Sequence, residues 1–265
     1  MSRVVVRRGA LRPISTGGRL SYRIIRAIGR VLIAPLWRVS VEGRERLPVG
    51  VAYVVAPVHR SYVDFAVLVA AMPREMRFMT KDSVWKWRWL GRFIEFNGSF
   101  PVDRAHTDRD ALRRCEEAIG LGDPVVMFPE GRRKDGPLVE DLFDGPAFVA
   151  CRTRVPVVPV AIGGSDRAMP VGARMIRPAK VRLVIGEPIY PDVPAAGRVP
   201  LRAVGENTEA LRVELQRLAD ACGVSHPAAI PLDALELVDH RYDATTARHA
   251  FGYEPGWGLP PAARR

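Results

Sequence analysis

At 265 residues, 48% of them apolar, the chain is long enough to bury one sizeable core and is expected to be one main domain with appendages. Its charge is strongly basic, 40 Lys and Arg against 29 Asp and Glu for a formal +11, and nearly all of the positive charge is arginine, since only Lys81, Lys86, Lys134 and Lys180 are lysines. That balance calls for an anionic partner such as nucleic acid, an acidic membrane surface or a phosphorylated substrate, while three widely spaced cysteines exclude a disulfide framework and a Cys-x-x-Cys zinc or redox site and suit a reducing compartment.

The first 41 residues hold nine arginines and no acidic residue. At about 100° per residue, Arg19, Arg23, Arg26 and Arg30 share one helical face, and Leu20, Ile24, Ala27, Ile28, Val31 and Leu32 cover the adjoining one. Such a basic amphipathic helix suits a membrane interface, with its apolar face among acyl chains and its guanidinium groups near lipid phosphates. It equally suits a surface helix that packs its apolar face on the domain. No stretch reaches the roughly 18 uncharged apolar residues of a spanning helix, and no secretory signal pattern is seen.

Short apolar runs then alternate with helical stretches. Strands are predicted at 39–41, 51–55, 76–79, 125–128, 157–162 and 181–185, and helices at 61–72, at 107–119, and from an Asn207 cap to a stop at Gly223. Alternation of this kind implies an α/β fold with a mainly parallel central sheet flanked by helices, preceded by the basic amphipathic helix. Residues 84–96 repeat Trp85, Trp89 and Phe93 every four positions beside Lys86, Arg88 and Arg92, which suits either an interfacial aromatic belt or core aromatics. The expected organisation is a membrane-interface segment at 1–40, the main domain at 41–223, and an extended tail rich in Pro, Ala and His at 224–265.

His59 falls on the turn between the strand at 51–55 and the helix at 61–72. Five positions separate it from Asp64, and inside one helix that spacing would turn the two roughly 140° apart. They meet only if His59 precedes the helix and Asp64 lies in its first turn. The carboxylate then fixes the imidazole tautomer and supports it as a general base at the end of a strand. In VMFPEGR, Pro129 and Gly131 shape a turn that aims Glu130 and Arg132 into the same space; Asp103 and Arg104 end GSFPVDR, and Lys81 follows the strand at 76–79. A further apolar, proline-punctuated strand is VPVVPVAI at 155–162.

In that order, His-x4-Asp, Gly-x4-Asp-Arg, Phe-Pro-Glu-Gly-x-Arg and Val-Pro-x-x-Pro-Val, the motifs over roughly residues 40–190 resemble the lysophospholipid acyltransferase family, of the 1-acylglycerol-3-phosphate acyltransferase type. The resemblance implies His59 as base and Asp64 as its partner. It gives the acceptor's phosphate to Arg104 and Arg132, the glycerol hydroxyls to Glu130, the rest of the substrate site to Gly131 and Lys81, and the acyl side to Val155, Pro156 and Pro159. Two departures stand out: Val58 occupies a position that is often Asn, and Leu142 to Pro146 reads LFDGP without the family's common Lys, while Arg133 and Lys134 alter the usual continuation after Gly131. The implied reaction moves a fatty acyl group from acyl-CoA or acyl-carrier protein, as co-substrate, to the free hydroxyl of a lysophospholipid. Because a thioester is already activated, no covalent intermediate, cofactor or metal is called for. Its implied partners are the lysophospholipid, the acyl donor and an anionic membrane surface, with no nucleic acid, and its implied place is the cytoplasmic face of a membrane, peripheral or monotopic. The competing readings are a glycerol-3-phosphate acyltransferase and a non-catalytic binder of anionic membranes or nucleic acid.

Overall fold

The computed structural model describes residues 10–102, 109–170, 173, 175–194 and 196–224; Arg104 and the expected tail from residue 225 onward lie outside them. Helix α1 (Thr16–Ile28), started by Ser15 Oγ accepting from Gly18 N–H, continues through a widened π turn (Gly29–Ile33) into α2 (Ala34–Leu36). Then follow β1 (Ser40–Glu42), β2 (Val54–Pro57), α3 (Asp64–Ala71), β3 (Arg77–Lys81), α4 (Arg88–Phe96), β4 (Phe100–Val102), α5 (Arg109–Gly120), β5 (Val125–Val126), α6 (Gly145–Thr153), β6 (Val157–Gly163), α7 (Ser165–Ala168), β7 (Arg182–Ile185) and α8 (Leu201–Cys222).

The seven strands form one sheet in the order β1-β7-β6-β2-β5-β3-β4, parallel throughout except for the β6–β7 pair. Its three central strands are apolar on both faces because helices cover both, so Val54, Val55, Val125, Val126, Val157 and Val158 are all buried. Parallel pairing of β6, β2, β5, β3 and β4 brings their carboxyl ends to one edge. That edge gathers the turns after β2 and β5 and Lys81 at the end of β3.

Two local expectations shift. Helix α8 begins at Leu201, after Pro200, whose missing N–H costs nothing at a helix start. Asn207 is therefore a buried residue inside the helix, not its cap. Strand β2 starts three residues later than predicted and runs through Pro57.

The amphipathic helix docks through Gly18, Tyr22 and Gly29, and its arginines bond to the domain along the rim of that contact. Arg23 pairs with Glu75 at 2.8 Å, Arg19 reaches Asp123 at 3.3 Å, and Arg26 and Arg30 donate to the carbonyls of Pro73 and Ala70. Burial favours the neutral acid at Glu75, but the hydrogen bond and charge of Arg23, helped by Arg26, outweigh it and lower the carboxyl's pKa. Leu20, Ile24, Ile28, Val31 and Leu32 are left exposed, each by at least half. The guanidinium groups expected at lipid phosphates thus hold the helix to the domain. Phe96 of α4 lies over Gly17, where a Cβ would come within 3.2 Å of its ring. That joins the apolar face of α1 to the exposed Trp89 and Phe93 of α4.

Candidate active site

Asp64 is the first residue of α3, and His59 lies on the turn before it. The Asp64 carboxylate folds back over its own helix start, where Oδ2 accepts from Arg60 N–H at 2.9 Å, Ser61 N–H at 2.8 Å and His59 Nδ1 at 3.0 Å. Since the carboxylate can only accept, Nδ1 carries the proton and the Nε2 lone pair is free. Asp64 is fully buried, whereas the His59 side chain keeps 13% of its surface. Ser61 Oγ ties the turn to Met169 O at 2.7 Å. The spacing of five therefore produces the contact expected of it.

The backbone of His59 is held on both sides by the loop after β5. Its N–H donates to Glu130 Oε2 at 2.7 Å, and its carbonyl accepts from Lys134 N–H at 2.9 Å. Arg60, which the sequence reading passes over, is the loop's anchor. It is 2% exposed, and its Nη1 donates to both Glu130 oxygens at 2.6 and 2.7 Å. Its Nε and Nη2 reach the carbonyls of Gly136 and Leu138. A guanidinium this deep survives only because its donors are matched. Glu130, 1% exposed with both oxygens engaged, positions His59 and turns no oxygen toward a substrate's hydroxyls.

Arg132 is exposed and held by no hydrogen bond or ion pair among the described residues, although its charge helps lower the neighbouring Glu140 carboxyl, after the larger effect of the hydrogen bond from Lys134. Gly131 sits at φ +67°, where a Cβ would meet Phe143 at 2.5 Å, so both the conformation and the space call for glycine. Lys81 is exposed at the end of β3, two strands away from β2 in the sheet. Val155, Pro156 and Pro159 are elsewhere. β6 runs parallel to β2, so Val155 and Pro156, which precede it, lie at the opposite edge of the sheet from His59. Pro159 is buried, and its carbonyl accepts from Gly186 N–H.

The apolar space beside the base lies on the other side of β2. The His59 ring stacks on Phe128 with centroids 4.1 Å apart. Phe128 also lines a cavity of about 1120 Å³ walled by Met79, Val102, Leu112, Met127 and Phe148, with Gly131 and Phe143 at the same strand-end edge and Arg109 and Arg152 among its charged residues. One aromatic ring is thus shared by His59 and a groove of a size that takes an alkyl chain. That layout can deprotonate a hydroxyl next to an acyl group held in apolar surroundings.

Residues 38–163 match the family model described as Acyltransferase. The chain is 29% identical over 164 residues to 1-acyl-sn-glycerol-3-phosphate acyltransferase of Bacillus subtilis, covering 61% of this chain and 78% of that protein. It is 32% identical over 166 residues to the chloroplastic 1-acyl-sn-glycerol-3-phosphate acyltransferase BAT2 of Brassica napus, covering 60% of this chain and 47% of that protein. Among solved structures it resembles the 1-acyl-sn-glycerophosphate (LPA) acyltransferase PlsC from Thermotoga maritima, with a TM-score of 0.65, 23% identity, and 81% and 85% of the two chains covered.

Proposed function

From the match of residues 38–163 to the Acyltransferase family model we propose that the chain transfers a fatty acyl group from an acyl thioester to the free hydroxyl of 1-acylglycerol-3-phosphate, giving phosphatidate. The observation that carries this reading is His59 Nδ1 at 3.0 Å from a buried Asp64, with Nε2 free and the ring against the cavity-lining Phe128. His59 removes the hydroxyl proton as oxygen attacks the thioester carbonyl, and then passes that proton to the departing thiolate. Asp64 holds the tautomer and supports the imidazolium. Glu130 and Arg60 fix the backbone of the base. Arg132 and Arg133, on the loop that also holds His59, receive the phosphate as guanidinium forks suited to it. The acyl chain lies in the cavity beside Phe128, in place of Val155, Pro156 and Pro159. Arg109 offers charge for the phosphates of a CoA or carrier-protein thioester.

The test is an acceptor panel with one long-chain acyl-CoA, comparing lysophosphatidate, glycerol 3-phosphate and larger lysophospholipids. Lysophosphatidate should give the highest kcat/KM; failure of every acceptor would sink the assignment. In the same assay Asp64→Asn should lower kcat by roughly 10²-fold while moving the acceptor KM far less, because the carboxylate's support matters most as positive charge develops on the ring. Equal turnover in both proteins would remove Asp64 from the mechanism.

No helix among the described residues is long and apolar enough to cross a membrane. We place the protein peripherally on an anionic membrane surface, the cytoplasmic face being the side where acyl-CoA is found, through the outward apolar face of α1 and the adjoining aromatics of α4. Burying one such aliphatic side chain is worth about 1.5–3 kcal/mol. Ile28→Glu with Leu32→Glu should therefore weaken association with phosphatidylglycerol vesicles at least tenfold in a sedimentation assay. Because the arginines of α1 already bond to Glu75, Asp123 and carbonyls of the domain, salt should weaken it much less. Complete release of the wild type by salt alone would reverse that order of contributions.

A further inference from the structure

We propose that Tyr62 is a positioning residue for the acceptor's phosphate, acting through Arg133, a role that rests on the acyltransferase reading above. Tyr62 follows His59 by three residues on the same turn, and it is 60% exposed although aromatic. The guanidinium carbon of Arg133 lies 3.4 Å from the centroid of its ring, a face-on stack. Arg133 immediately precedes Lys134, whose N–H donates to the His59 carbonyl, so stack and base belong to one pair of bonded loops. No hydrogen bond or ion pair among the described residues holds the Arg133 guanidinium, and its Nη1 is buried without a partner. The Glu140 carboxylate pairs with Lys134.

These observations fit an anion receptor better than a structural contact. A guanidinium stacked on an aromatic ring has its plane fixed in advance, and a fixed planar fork is what a bidentate phosphate contact needs. Fixing the plane beforehand reduces the rotamer freedom lost when the phosphate arrives. A buried N–H without an acceptor is costly, and an anion oxygen removes the cost. The exposed face of Tyr62 stabilises no core, which leaves the stack as its evident contribution.

The experiment compares Tyr62→Leu, Tyr62→Phe and Tyr62→Trp in the full chain. Tyr62→Leu should raise the KM for lysophosphatidate about tenfold with kcat changed less than twofold, while Tyr62→Phe and Tyr62→Trp, which keep a ring face, should stay near wild type. In an Arg133→Met background Tyr62→Leu should have no further effect, as a double-mutant cycle requires of a residue that acts through its partner. Calorimetric titration with glycerol 3-phosphate supplies a readout independent of turnover, and there Tyr62→Leu should weaken binding about tenfold. Equal losses in the leucine and phenylalanine variants, an undiminished leucine effect without Arg133, or unchanged calorimetric affinity would each overturn the proposal. Wild type that binds glycerol 3-phosphate in a Tyr62-dependent way without turning over any acceptor would overturn the acyltransferase reading and leave the anion receptor standing.

Discussion

His59→Ala is expected to lose acyl transfer to lysophosphatidate by at least about 10³-fold while melting within a few degrees of the wild type. The two halves of that expectation have separate causes. Nε2 is the one lone pair at the site freed by the bond from Nδ1 to Asp64, and a thioester, though activated, is attacked slowly by an alcohol that keeps its proton. The fold is spared because the bonds that fix position 59 run through its backbone, from its N–H to the Glu130 carboxylate and from the Lys134 N–H to its carbonyl, and alanine retains both. Release of free CoA in a single-turnover assay reads the chemistry, and a thermal melt reads the fold. Activity within tenfold of the wild type would move the base elsewhere.

Glu130→Leu should have the largest effect on stability, on the order of 3–5 kcal/mol, because it strands a buried guanidinium. Arg60 would keep the carbonyls of Gly136 and Leu138 but lose both carboxylate oxygens, and the His59 N–H would lose its acceptor. Removing both charges, as Arg60→Met with Glu130→Leu, should recover most of the loss, since two apolar groups of similar volume need no counter-charge. Urea denaturation of the two single variants and the double one measures the coupling. A Glu130→Leu loss below about 1 kcal/mol would mean that water reaches Arg60 and that the pair anchors nothing.

What the sequence made legible follows from how far each interaction reaches along the chain. The central strands were readable because burial on both faces turns them into runs of β-branched residues, and His59 with Asp64 was readable because a spacing of five fixes the geometry around one turn. Arg60 was not, since its partner Glu130 lies seventy positions away and an arginine in a turn looks the same exposed or buried. Val155 and Pro156 belong to an apolar run at 155–162, but such a run does not say which of its ends lies beside His59; the parallel pairing of β6 with β2 decides that, and it puts them at the far edge. For α1, periodicity located the two faces without saying which one packs inward. Glu75 and Asp123, distant in sequence, supply the countercharges that draw the arginine face to the domain.

The domain-bonded arginines of α1 also bear on how substrate would be found. A helix bonded to the domain by its arginines has its greasy face on display before any bilayer is met, so on the proposed reading attachment would need no unfolding, hinge or ligand, and the strand-end edge would ride at a constant distance from the surface. On that reading a lysophospholipid would reach His59 by lateral diffusion in a plane. Turnover on such a surface is governed by the mole fraction of substrate among its neighbouring lipids, and diluting lysophosphatidate with inert phospholipid at constant bulk concentration should slow the reaction in proportion.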